Sequence, residues 1–168
     1  MATETVATFE SSLDDLGVEM TRTDPAGFDD ALAAIIDEPA IGVPLRIDGV
    51  SLDGVPVTVD PTPAQLESAR TGVTPVGTAV ATYGTLAIES SAAGDEPVSL
   101  FPERHVAVVR EEDVVWGLDE AFTRLDEGFE AGRDSVVFAT GASATADMGA
   151  MVEGVHGPAA VHVVVIEA

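Results

Sequence analysis

Two apolar runs, HVAVVR at 105–110 and VHVVVI at 161–166, constrain this fold more than any other feature. A strand with one wet face alternates apolar and polar residues. These runs are nearly continuous instead, which is the pattern of parallel strands covered by helices on both sides. Between them the sequence predicts a helix over 117–131, with Leu118, Ala121, Phe122, Leu125 and Phe129 on one face. A strand over 135–139 and a short helix over 145–152 are predicted next. Two successive β–α–β units follow from this, giving three parallel strands with right-handed crossovers. The expected architecture is a three-layer α/β fold with a mixed, mostly parallel sheet, and residues 1–168 read as one domain.

The upstream half supports the same class. Val6, Phe9, Leu13 and Leu16 form one helical stripe over about 4–16, followed by a short strand at 18–21. Asp24 is a candidate N-cap with Pro25 at the first helical position, and Phe28, Leu32, Ile35 and Ile36 line one face before Pro39. Strands are expected at 41–47 and 55–59. The run Thr62-Pro63-Ala64-Gln65 has capping-box spacing and should open a helix reaching about Arg70. The Gly/Thr/Ala-rich middle predicts strands at 77–82 and 85–89, with a flexible loop over 90–97.

Charge and composition exclude several functions. Thirty Asp and Glu face seven Arg, with no Lys, for a net −23. That field repels nucleic-acid phosphates. With no Cys, the chain has no thiol nucleophile, no thiolate zinc site and no Cys-held iron–sulfur cluster. No apolar run reaches the length of a membrane span, and the first residues lack a signal peptide's basic start. A cytoplasmic protein of a high-salt organism is expected, its acids spread along the chain as a solvation coat. The competing reading is a docking face for a basic partner.

Four polar constellations are candidate sites. Gly141-Ala142-Ser143-Ala144-Thr145-Ala146-Asp147 follows the predicted strand and opens the predicted short helix. Free N–H groups and hydroxyl donors there suit an anion, although the spacing is neither a dinucleotide fingerprint nor a P-loop. The alternative is that Ser143 or Thr145 simply caps the helix. Gly154-Val155-His156-Gly157-Pro158 holds an imidazole on a tight bend, either as an acid/base or orienting group or bound to its own helix end. Tyr83, Gly84 and Thr85 form either a ligand-facing kink or an ordinary turn. His105 opens a buried strand, as a site residue or a satisfied core histidine; His162 reads as structural. No metal-ligand spacing is present among the three histidines.

These segments resemble the LUD domain, the lactate-utilisation protein C family. Gly141, Ser143, Thr145 and Asp147, then Gly154 to Pro158, match its C-terminal signature position by position. Ala81 and Tyr83-Gly84-Thr85 are similar to its Ala-Glu-Thr-Gly-Thr turn, and Phe101-Pro102 with His105 to its Leu-Pro-x-x-His. The resemblance covers residues 72–166. Thr82 and Tyr83 depart from the family's Glu and Thr, and the N-terminal helical extension is short. The resemblance implies a fold like the NagB/RpiA/CoA-transferase group and a non-redox subunit or accessory role in L-lactate oxidation. It implies iron–sulfur partner proteins that carry the redox centres, with no cofactor in this chain. The site would hold an anionic small molecule, with His156 and Asp147 as catalytic candidates. Gly141, Ser143, Thr145, Tyr83, Gly84, Thr85, His105 and Gly157 would be ligand-binding. The alternative function is a stand-alone transferase or isomerase on a phosphorylated, CoA or folate-type substrate.

The acid coat carries its own test. At about 1 M salt the Debye length is roughly 3 Å, so self-repulsion is screened, whereas at 0.1 M it reaches roughly 10 Å. The melting temperature should rise steadily with added KCl and the fold should fail on desalting. A melting temperature indifferent to KCl contradicts the coat.

Overall fold

The computed structural model describes residues 2–168, apart from the side chains of Ala2 and Asp147. Helix α1 (Ala2–Asp15) buries Val6, Phe9 and Leu13, whereas Leu16, the fourth residue of the expected stripe, lies past its end and is exposed. Strand β1 (Glu19–Thr23) leads to a 3₁₀ turn at Pro25–Gly27, where the Asp24 carboxylate accepts the Gly27 N–H at 2.8 Å. Helix α2 (Phe28–Ala33) buries Phe28 and Leu32. Strands β2 (Ala40–Gly42) and β3 (Val57–Val59) precede α3 (Pro63–Ser68). The α3 capping box is complete: Gln65 N–H donates to Thr62 Oγ1 at 3.3 Å, and Thr62 N–H donates to Gln65 Oε1 at 2.9 Å.

Strand β4 (Thr71–Val76) runs almost straight into β5 (Thr78–Val80), then β6 (Thr85–Glu89) and α4 (Asp95–Leu100). Strand β7 (Arg104–Arg110), short β8 (Val114–Val115) and α5 (Leu118–Glu130) follow. The chain closes with β9 (Val136–Thr140), β10 (Ala144–Asp147), β11 (Ala150–Glu153) and β12 (Ala160–Ile166).

Six strands form a wholly parallel sheet in the order β1-β12-β7-β4-β2-β3. Its two central apolar strands send alternate residues to opposite faces, as a pleated backbone must. Val106, Val108, Val164 and Ile166 pack with Phe28 and Leu32 of α2. Ala107, Val109, Val163 and Val165 pack with Phe9 and Leu13 of α1 and with Ala79, Leu86 and Ile88 of a second sheet. That sheet has the order β8-β5-β6-β9 and is mixed. The result is a three-layer α/β fold with a mostly parallel central sheet.

Three expectations need correction. Residues 145–152 are not a helix. The pair β10 and β11 is an antiparallel hairpin turned at Met148-Gly149, with φ of 50° and 81°. Positive φ at both central positions is the two-residue hairpin geometry. The segment has no apolar stripe to bury: Ala144, Ala146, Met148, Met151 and Val152 are all exposed. Strand β9 is not a third parallel strand either. It pairs antiparallel with β6 in the second sheet, so only β7 and β12 form the expected parallel neighbours. Finally, part of the predicted 90–97 loop opens α4, and β4 is a central strand where none was expected. Gly72 in β4 is dictated by packing, since a Cβ there would lie 2.0 Å from the Val98 carbonyl oxygen of α4.

Candidate functional site

Two bends meet where β9 ends and β12 begins. After Thr140 the chain turns through Gly141 at φ 75°, against Leu16 at the end of α1. Ser143 then spends both backbone groups on the second bend. Its N–H donates to the Pro158 carbonyl at 2.9 Å, and its carbonyl accepts the Gly154 N–H at 2.9 Å. The contact is tight: a Cβ on Gly157 would lie 3.1 Å from Ser143 Cβ, and one on Gly154 would lie 2.9 Å from Ala159 Cβ.

This clamp encloses one side of a cavity of about 210 Å³. Ser143, His156, Gly157 and Gly141 line it from the bends, His105 from β7 and Ser99 from α4. It is smaller than the roughly 300–1,000 Å³ usual for drug-sized ligands, so it suits a molecule of a few heavy atoms. No Asp or Glu is among its described lining residues, in a chain with thirty of them. Two imidazoles and two Ser hydroxyls are.

His105 is fully buried, with Nε2 2.8 Å from Thr74 Oγ1 on neighbouring β4. Burial pushes its pKa down to about 4, so at neutral pH it is an uncharged hydrogen-bonding group rather than a cation. His156 lines the cavity and is exposed.

The other candidates lie elsewhere. Thr145 opposes Val152 in the hairpin and does not line the cavity. Asp147 lies at the hairpin's far end, opposite Ala150; its side chain lies outside the described residues. Tyr83 is exposed, and Gly84 packs against α1, where a Cβ would meet Leu16 Cδ1 at 2.9 Å. Thr85 Oγ1 is 2.8 Å from Thr140 Oγ1, so it touches the site only through that cavity residue. With no helix after Ser143, neither the helix-dipole argument nor the capping alternative applies. The cavity sits at the amino ends of β7 and β12. Ser99 and Leu100 were missed with α4, although Asp95, Glu96 and Pro97 in its first turn are helix-start signals. Outside the site, His162 Nε2 is 2.8 Å from Thr21 Oγ1. Its Nδ1 is 3.2 Å from Glu19 Oε2, an ion-pair distance without hydrogen-bond geometry. Among the described residues, no group of three His, Asp or Glu could hold a metal.

The family model for the LUD domain matches residues 10–166. The chain belongs to the LUD domain family. A lactate utilization protein C from Deinococcus radiodurans is 32% identical to it over 165 residues, covering 94% of this chain and 77% of that protein. The crystal structure of a DUF162 family protein from Deinococcus radiodurans is also similar. It has a TM-score of 0.77 at 25% identity and covers 99% of this chain and 98% of that one. The LUD match spans both clamped bends and the strand that carries His105.

The buried imidazole makes stability depend on pH. His105 has a folded pKa of about 4 against an ordinary 6.5, so the unfolded chain binds the extra proton first. Its contribution is fully present above pH 6.5 and is lost as pH falls toward 4, on the order of 3 kcal/mol in all. Denaturant unfolding at pH 7.5 and 4.5 should show a steeper acid loss for the wild type than for His105→Gln. Equal losses would show that this imidazole has no such linkage.

Proposed function

We propose that the chain is a non-redox component of a lactate-utilisation system, acting in the cytoplasm of a high-salt organism beside iron–sulfur partner proteins. The cavity between the two bends holds a small carboxylate of the lactate or pyruvate class. Its carboxylate-free lining is the observation that carries this reading, in a chain whose net charge of −23 otherwise disfavours anions. The name of the 32% identical relative supports the pathway. The chain has no Cys, so cysteine-held clusters would sit on the partners.

Each group has a part in this reading. The Ser143 hydroxyl donates to the carboxylate, on a backbone already fixed by its two main-chain bonds. Neutral His105 orients the ligand without adding charge. Exposed His156 orients the ligand hydroxyl, and the two-electron oxidation, with loss of both the hydroxyl and Cα hydrogens, belongs to the redox centres of the partner proteins.

Genetics and binding test this together. Losing one buried hydrogen bond costs about 1–3 kcal/mol, so Ser143→Ala should weaken L-lactate binding roughly 5- to 150-fold. A strain lacking the gene should fail to grow on L-lactate, recover with the wild type, and recover poorly with Ser143→Ala or His156→Ala. Full recovery with both variants, or normal growth of the deletion strain, overturns the proposal.

A further inference from the structure

A second cavity, of about 650 Å³, opens on the opposite edge of the parallel sheet. Arg46 stands four residues past β2, Gly77 directly follows β4, and Arg110 ends β7. All three line this cleft, so it lies outside carboxyl ends. Neighbouring β2 and β4 also send the chain in opposite directions, β2 outward to β3 and β4 back across the sheet towards β7. Such a switch point in a parallel sheet is where a crevice for a ligand forms. His105 and Arg110 are five residues apart on β7, or roughly 16 Å at 3.3 Å per step, so the two cavities are separate.

The cleft concentrates the chain's scarce positive charge. Arg46, Arg110 and Arg133 line it, and Arg124 stands behind it, bonded to lining residue Asp113 at 2.9 Å. Four of seven arginines thus gather here. Arg46 and Arg133 each meet one carboxylate, and Arg110 meets two, its Nη1 pairing with Glu112 at 2.5 Å. Arg46 Nη2 pairs with buried Asp95 at 2.5 Å, and Ser91 donates to the other Asp95 oxygen. Arg133 Nε pairs with Glu89 at 2.5 Å, and Arg110 Nε with Asp113 at 2.6 Å. All three arginine side chains stay about half exposed. Among the described residues, Asp134 is the one lining carboxylate with no arginine partner.

We propose that this cleft binds a nucleoside diphosphate or a similar organic ligand with two phosphate-type groups. Planar guanidinium forks fit phosphate oxygens in pairs. The guanidinium groups of Arg46 and Arg133, on separate segments lining one cleft, match more than one oxyanion. The volume is that of a cofactor-sized molecule. The partner carboxylates orient the forks, and molar salt screens the acids farther off.

Calorimetric titration with ADP at about 2 M KCl, where the long-range field is screened, tests the proposal. Saturable binding is expected. Arg133→Gln and Arg46→Lys should each weaken it at least about tenfold, the second while keeping a cation beside Asp95. Ser143→Ala should leave ADP affinity unchanged, which separates this site from the carboxylate cavity. Absence of saturable ADP binding to the folded wild type, or undiminished binding in both arginine variants, overturns it.

Discussion

The structure depends on the register of β7 against β12. Residues 104–110 of one pair with 160–166 of the other, side by side and parallel, and both are buried on each face. Because the strands are in register over their whole length, their ends are level. The amino ends bring His105 beside the segment that enters β12, which is the Gly-rich bend carrying His156. The carboxyl ends bring Arg110 to the opposite rim. A one-residue slip of β12 would turn Val164 and Ile166 away from α2 and bring Val163 and Val165 to face it instead. Burial therefore fixes which chemistry stands at which edge.

Local chemistry was legible where it did not need tertiary information. The α1 stripe up to Leu13, the Asp24 cap, the Thr62 capping box and the two valine-rich strands all stand where their residues place them. Strand β4 was not legible, because Gly72 and Pro75 weaken any strand reading. Gly72 is there because the α4 backbone crosses at close range, which no local pattern reveals. The hairpin at 144–153 was hidden for a different reason. Its Ala, Thr and Met residues are compatible with a helix, and only the Met148-Gly149 pair marks the turn.

The site was legible in part for similar reasons. The two signature bends do share a cavity, yet they reach it through a backbone clamp and not through a helix terminus. Thr145 lies along the β10–β11 hairpin opposite Val152, and so does not line the cavity that Ser143 reaches. Gly84 and Thr85 turned out to support the small sheet and α1, with Thr140 between them and the cavity. The Arg cleft gave no sequence signal, since Arg46, Arg110 and Arg133 come from three distant segments. In a chain with so many acids, each arginine's position carries information. Arg46 and Arg110 meet the buried carboxylates of Asp95 and Asp113 there, while about half of each arginine side chain stays open to solvent.

The central claim is that the clamped bends near the chain's end form a site for a small carboxylate. Titrating isotopically labelled protein with L-lactate and following amide and imidazole resonances tests it most directly. The account predicts saturable shifts at Gly141 to Ser143, at Gly157 and on the His105 and His156 rings, with Arg46 and Arg133 unmoved. Shifts confined to the arginine edge, or none at saturating lactate, would contradict it.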